Sequence, residues 1–279
     1  MIATLFAAAA LAGACLPDPR VPDVAEAWAA RQAVPALEIA DAAQALCFRK
    51  ALMAELGPQV GPVVGYKVGI FSAAGRKAYG TDSPILGELH QKMLLPDGAT
   101  LPAAYGVGAN WESDFILVVK DEAINAARTP AEIYAHLRAY RPFIELPARN
   151  YGPEVKVSAH QLAAMDVAAR WGVIGPETPL PQTPQGMAAL AGLSATSTVK
   201  SAKGASVDHG KIRETLGDPL EIVAFTRDAV LAQGGRLKAG DLISLGVITP
   251  AKPPQPGETL TVDYQVFDGP PTSVSVTFN

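Results

Sequence analysis

Trp111-Glu112-Ser113-Asp114-Phe115-Ile116-Leu117-Val118-Val119 is the stretch from which the rest of the chain is best read. Beyond its charged start it is apolar at every position, so both faces of the strand it forms are expected to be covered and it belongs inside the fold. Glu112 and Asp114 are two residues apart. In a strand their side chains leave the same face about 7 Å apart along the backbone. Two acids on one face beside Ile116 and Val118 repel each other and lose hydration unless a positive charge sits between them. A shared cation is one reading. The other is a frayed, solvated strand start, and spacing alone does not separate the two.

Outward from this strand, Pro142-Phe143-Ile144-Glu145-Leu146 reads as a short strand carrying a third acid. Three oxygen donors from Glu112, Asp114 and Glu145 suit a hard ion, Mg²⁺ or Mn²⁺. Thr129-Pro130-Ala131-Glu132 has the pattern of a capping box and predicts a helix running to about Tyr140. Toward the N-terminus, Val63–Ile70 reads as a β-branched strand punctuated by glycine, Ser72–Tyr79 as a short helix, and Gly80–Pro84 as a turn. The Ala-rich stretch from Pro22 to Leu56 predicts two helices broken near Val34-Pro35. Toward the C-terminus, Ser158–Arg170 reads as a helix and Leu242–Val247 as a strand. Thr259–Val266 and Thr272–Phe278 alternate in hydrophobicity and predict a hairpin.

Composition bounds the rest. The chain has 279 residues, 49% hydrophobic and 18% charged, enough to bury a large core. The net charge of −4 and the absence of a Lys/Arg cluster interleaved with aromatics argue against nucleic acid. Residues 1–14 are small and apolar and are followed by Leu16-Pro17-Asp18-Pro19-Arg20, the shape of a cleaved signal peptide too short to span a bilayer. A periplasmic or secreted protein is expected, with a cytoplasmic one as the alternative because no Lys or Arg precedes the apolar run. Cys15 follows small residues, but Leu11 stands one position too early for lipid attachment there. Removal of Cys15 along with the leader would leave Cys47 alone on a helix, and no disulfide is assigned. His90, His136, His160 and His209 make no metal-ligand spacing. Ser158 and Ser201 lack a nucleophile elbow, and neither Gly204 nor Gly234-Gly235 makes a phosphate loop.

Gly65-Tyr66-Lys67-Val68-Gly69, Gly80-Thr81-Asp82-Ser83-Pro84-Ile85-Leu86-Gly87, Glu112-Ser113-Asp114, Phe143-Ile144-Glu145, Leu237-Lys238-Ala239-Gly240-Asp241, Thr249-Pro250 and Gln255-Pro256-Gly257-Glu258-Thr259 follow one another in an order that resembles the 2-keto-4-pentenoate hydratase and 4-oxalocrotonate decarboxylase group of the fumarylacetoacetate hydrolase superfamily. The resemblance runs from about Val24 to the end. It implies an α+β fold, a mixed β-roll with flanking helices: an N-terminal helical subdomain over residues 22–62, then a catalytic domain over residues 63–279. It further implies a metal held by Glu112, Asp114 and Glu145, with Asp114 one methylene shorter than the family's usual Glu. Lys67 is implied to face a small 2-oxo acid, and Asp82 to lie near the reacting carbons. A homo-oligomer is implied as well. The expected reaction is metal-dependent addition of water to a 2-hydroxydienoate. Decarboxylation of a 2-oxo acid, or an exported, non-catalytic binder of oxo acids, are the alternatives. Met165-Asp166-Val167-Ala168-Ala169-Arg170-Trp171-Gly172 lacks the serines that hydratases usually carry there, and Leu146-Pro147-Ala148-Arg149 keeps only a shifted arginine. Both departures imply an altered substrate pocket.

Overall fold

The structure is a computed structural model and describes residues 15–279; the expected leader, residues 1–14, lies outside the described residues. In chain order the strands are β1 (Val63–Gly69), β2 (Ile85–His90), β3 (Leu94–Pro96), β4 (Ala99–Leu101), β5 (Glu112–Val119), β6 (Leu137–Leu146), β7 (Trp171–Ile174), β8 (Thr178–Pro179), β9 (Ser194–Ser201), β10 (Gly204–Lys211), β11 (Leu242–Ser244), β12 (Thr259–Gln265) and β13 (Thr272–Phe278). The helices are α1 (Val21–Ala29), α2 (Ala42–Glu55), α3 (Gly57–Val60), α4 (Ala73–Tyr79), α5 (Pro130–Ala135), α6 (Ala159–Ala164), α7 (Pro184–Leu190), α8 (Ile212–Thr215) and α9 (Pro219–Ala232). None of the described helices is long and apolar enough to cross a membrane.

The strands form two sheets. The larger has the order β2-β1-β11-β5-β6-β7-β3 with β8 against β6, and the smaller β10-β9-β12-β13-β4. β5 lies centrally in the larger sheet, antiparallel to both β11 and β6, and Phe115 to Val119 have no solvent exposure. The reason is two-sided packing. Phe115, Leu117 and Val119 join the main core with Leu260, Val262 and Tyr264 of β12 and Val274, Val276 and Phe278 of β13. Ile116 and Val118 face the other way and join Leu89, Ala139, Phe143 and Leu242. The hairpin expected at the C-terminus is present as β12 and β13, with its alternating apolar faces buried.

Local capping sets several helix starts. Asp41 accepts the Gln44 N–H at the head of α2, and Ser72 accepts the Gly75 N–H at α4, which ends at Gly80 in the left-handed region. The Thr129/Glu132 capping box forms at α5, yet that helix stops at Ala135 and not near Tyr140. Residues from Leu137 are taken by β6, which pairs with β5 from Leu137 to Glu145 across one irregularity. Pro142 is accommodated inside β6 although it donates no bond, and its carbonyl accepts the Gly175 N–H at 2.9 Å. The helix expected over Ser158–Arg170 likewise ends at Ala164.

The N-terminal helices do not have a core of their own. Val24, Trp28, Phe48 and Leu52 pack with Tyr151, Ala164, Met165 and Ala169. Arg170 stacks on Trp28 at 3.8 Å and donates to its carbonyl at 2.6 Å. The expectation of no disulfide is corrected: Cys15 and Cys47 are bonded, with Cα atoms 5.3 Å apart. Cys15 belongs to the described chain, and the segment leading into α1 folds back onto α2, a proximity that no local pattern encodes.

A cross-link between residues 32 apart restricts the unfolded chain, worth about 3–4 kcal/mol on the chain-entropy account. Urea unfolding with and without dithiothreitol is expected to differ by about 2–4 kcal/mol, and C47S is expected to match the reduced protein and be insensitive to reductant. Identical stability in both conditions rejects the bond.

Candidate active site

The pairing of β5 with β6 places Glu112 directly opposite Glu145. Directly opposed residues in an antiparallel pair point to the same face, so the two carboxylates share one wall. Lys67 reaches the same place from β1. Its ammonium is ion-paired with Glu145 and donates to the Val167 carbonyl at 2.8 Å. Lys67 and Glu145 are both buried, whereas Glu112 is half-buried. These three side chains, with Asn110, Phe71 and Arg149 among others, line a cavity of about 520 Å³.

Burial by itself would lower the Lys67 pKa, but the charge and hydrogen bond of Glu145, with Glu112 and Asp166 behind them, outweigh it and raise it. Lys67 is therefore a fixed cation. Glu112 is pushed up to about 8, first by burial and then by the negative charge of Glu145, with Lys67 pulling the other way. Two acids share one ammonium, and the second acid is ionised at neutral pH only at a cost. That excess of negative charge is what a hard divalent cation relieves, and carboxylate oxygens are the donors it prefers.

Asp114 is placed differently from the expectation. Its carboxylate lies inside the wall, fully buried, and does not line the cavity. It accepts the Ser244 hydroxyl and the backbone N–H groups of Leu245 at 3.0 Å and Gly246 at 2.8 Å. Burial raises its pKa to about 6 in spite of these donors, Glu145 adding to the effect. In the described geometry Asp114 pins the β11 turn to β5, and no group of three acids among the described residues converges as a ready metal cluster. Glu112 and Glu145 are brought together; Asp114 is beside them and otherwise engaged. Asp82 sits exposed in the turn after α4 and does not line the cavity.

Asp166 was not singled out as a site residue by the sequence. Asp166, Val167 and Ala168 have φ of +51°, +53° and +59°, the left-handed region, in a fully buried turn. The turn presents the Val167 carbonyl to Lys67. Two glycines make room for it: a Cβ on Gly69 would lie 2.4 Å from Val167 Cγ1, and one on Gly87 would lie 2.9 Å from the Asp166 carbonyl oxygen. Asp166 accepts the Glu88 N–H at 2.8 Å, and the Arg49 guanidinium and the His90 ring lie 3.9 and 3.8 Å from its carboxylate. Burial raises the Asp166 pKa to about 7, with Arg49 opposing. The signal available in sequence was Gly69 and Gly87, each in a motif with an unexplained need for a missing side chain.

A mixed β-roll whose central strands carry two opposed carboxylates and a buried lysine at a half-open cavity defines a fumarylacetoacetase-like protein. The chain belongs to that family: the profile described as Fumarylacetoacetate (FAA) hydrolase C-terminal matches residues 73–269. It is 25% identical over 205 residues to a 4-oxalocrotonate decarboxylase of Pseudomonas putida, covering 73% of this chain and 74% of that enzyme. It is also 25% identical over 191 residues to a 2-keto-4-pentenoate hydratase of Burkholderia vietnamiensis, covering 67% and 69%. Among solved structures it is similar to 4-oxalocrotonate decarboxylase from Pseudomonas putida G7 complexed with magnesium and adipate, with a TM-score of 0.80 and 23% identity over 95% of this chain and 99% of that one. The α+β, fumarylacetoacetase-like fold expected from the sequence is the fold observed.

Glu112 titrates from about 4.5 when unfolded to about 8 when folded. A raised carboxylate stabilises the fold fully below its unfolded pKa and loses that contribution as pH rises through the folded one. E112Q is therefore expected to raise the melting temperature of the metal-free protein by about 5 °C at pH 8.5 and leave it unchanged at pH 4. Equal effects at both pH values contradict the electrostatic account.

Proposed function

We propose that the protein is a divalent-metal-dependent lyase that adds water to a 2-hydroxydienoate, giving a 4-hydroxy-2-oxo acid. The observation that carries this reading is the opposition of Glu112 and Glu145 on one cavity wall with Lys67 between the wall and the Val167 carbonyl. Glu112 and Glu145 would hold Mg²⁺ or Mn²⁺. Asp114 is the third acid, and to join them it must exchange the Ser244 hydroxyl for the ion. Bound there, the ion supplies Lewis acidity toward the carboxylate and 2-oxygen of an oxo acid.

The protein's own groups do the rest. Lys67 stays charged, because its anionic neighbours raise its pKa, so it acts by stabilising negative charge that develops on the 2-oxygen and not by taking a proton. Its position is set from behind by the Val167 carbonyl, itself held by the left-handed turn. Apolar side chains such as Phe71, Leu162, Leu216 and Val247 line the remaining cavity and keep the carbon chain away from bulk water. Asp82 is the acid/base candidate. It lies three residues beyond Tyr79, which lines the cavity, and acts only if that exposed turn closes over it.

Decarboxylation is the second reading, favoured by the similarity to the Pseudomonas putida decarboxylase; the same electron sink would receive the carbanion left by CO₂. The location is part of the proposal. Disulfides persist in oxidising compartments, and the Cys15–Cys47 bond supports a periplasmic or secreted protein released from residues 1–14. A homo-oligomer completes it, to be read by light scattering.

Titration with Mg²⁺, followed by turnover of 2-hydroxypenta-2,4-dienoate, tests the assignment. E112Q and E145Q are expected to abolish Mg²⁺-induced stabilisation and lower kcat/KM by at least about 1,000-fold. K67M is expected to retain metal uptake and lose about 100- to 1,000-fold in kcat. D114N weakens Mg²⁺ binding if Asp114 exchanges its partner, and D82N lowers kcat without touching Mg²⁺ binding if the turn closes. Mg²⁺ uptake undiminished in both E112Q and E145Q removes the site, and ligand-induced stabilisation without product leaves a binding protein.

A further inference from the structure

Behind the left-handed turn a second group of titratable side chains is gathered, none of which lines the cavity. Arg49 of α2, Glu88 and His90 of β2 and Asp166 of the turn are linked by N···O distances of 3.7 to 3.9 Å. Arg49, His90 and Asp166 are buried, and Arg49 Nε, His90 Nε2 and Asp166 Oδ2 each lack a hydrogen-bond partner among the described residues. The terminal nitrogens of Arg49 donate to the Leu86 carbonyl and, at 2.7 Å, to the Gln233 side chain. Asp166 Oδ1 accepts the Glu88 N–H at 2.8 Å, so Oδ2 is the oxygen left without a donor.

The state of His90 follows from its other nitrogen. A carbonyl oxygen only accepts, so the 3.0 Å contact of Nδ1 with the Gly61 carbonyl puts a hydrogen on Nδ1. In the neutral ring Nε2 is then bare, and it faces the Asp166 carboxylate at 3.8 Å and the Glu88 carboxylate at 3.7 Å. Acceptors oppose one another there with no hydrogen among them. One proton removes the conflict: Nε2–H donates to Asp166 Oδ2, and one guanidinium plus one imidazolium balance two carboxylates. Burial of Asp166 acts in the same direction, raising its affinity for a proton. No other charged group competes at close range. From β1, Tyr66 stands opposite Glu88 in the sheet, and Lys67 acts on Asp166 only through its charge. Lys92, next after β2, donates to the Pro58 carbonyl at 2.7 Å, and the titratable residue of α6, His160, makes no ion pair among the described residues.

We propose that His90 and Asp166 hold a single proton between them, and that this proton fixes the turn that presents the Val167 carbonyl to Lys67. His90 is thereby a positioning residue, acting on Lys67 through Asp166 and the turn. The Asp166 carboxylate is the side-chain tether of a segment whose three residues all have φ between +51° and +59°, so the tether has a conformation to hold. Loss of the proton as pH rises brings back the opposed acceptors, loosens the turn and frees Lys67 from its carbonyl. The proposal rests on the lyase reading only for the use to which Lys67 is put.

The test uses the full chain, nitrogen-labelled, with NMR of the histidine ring N–H groups and of the Val167 and Ala168 amides from pH 5 to pH 9. His90, one of four histidines, is assigned by the signals lost in H90Q. Two ring N–H signals are expected for His90 at the acid end, with the Nε2–H signal lost at the alkaline end and the two amides shifting with the same midpoint. H90Q places a neutral, permanent donor near the Nε2 position and is expected to remove the pH dependence of the amides; H90F is expected to hold them at their alkaline positions. In turnover of 2-hydroxypenta-2,4-dienoate at pH 6, H90F is expected to lose about 10- to 100-fold in kcat with KM little changed, and H90Q to recover most of it. A bare Nε2 throughout, the mark of a bridging water in place of the proton, overturns the proposal. So do amides that ignore the His90 titration, or an H90F protein with unchanged kcat. Absence of turnover in the unaltered protein, with the NMR profile intact, refutes the lyase reading and not the shared proton.

Discussion

Two carboxylates forced onto one wall with a single ammonium between them are the constraint around which this molecule is arranged. Glu112 and Glu145 face each other because β5 and β6 are antiparallel and in that register, and a slip of one residue would send one of them into the opposite core. The register is in turn held by packing on both faces, with Phe115 and Leu117 on one side and Ile116 and Phe143 on the other. The charge problem at the end of the strand is thus imposed by the apolar residues in its middle. Burial sharpens it, pushing Glu112 up to about 8, and Lys67, ion-paired with Glu145, pulls Glu112 back only in part.

The surroundings extend the same logic outward. Lys67 is oriented by the Val167 carbonyl, and that carbonyl is available only because three consecutive residues adopt left-handed backbone conformations. Gly69 and Gly87 permit the close approach, and the buried Arg49, His90 and Asp166, with the half-buried Glu88, support the turn from behind. Strain concentrated at one buried turn, with polar groups gathered behind it, is typical of a position held for function. The N-terminal helices bear on this as well. They share a core with Met165 and Ala169, so the helical region and the turn that positions Lys67 are one packed unit.

Much of the fold was open to reading from local pattern. The β5 strand, the C-terminal hairpin, the capped start of α5 and the starts of α4 and α6 stand where the local pattern put them. Helix ends were the weak point. Leu137–Tyr140 had helical company on its N-terminal side but was claimed by β6, because pairing with β5 satisfies a whole row of backbone groups. The hairpin of β9 and β10 and the helix α9 carried too little contrast to be assigned: Ser, Thr and Gly dominate the former, and the latter is apolar on more than one face.

The sequence by itself determined which residue types were available: an acid pair at strand spacing, a third acid behind an apolar dipeptide, a lysine between glycines, and a family order linking them. Those are properties of one stretch at a time, and local chemistry suffices for them. Tertiary structure alone decided which of the acids meet. Glu112 and Glu145 face one cavity because two strands share a register, whereas Asp114 turns to Ser244, Leu245 and Gly246, donors that arrive from about 130 residues away. The Cys15–Cys47 bond and the approach of Val167 to Lys67 have the same origin, contacts between segments far apart in the chain, whose proximity exists only after the intervening residues have folded.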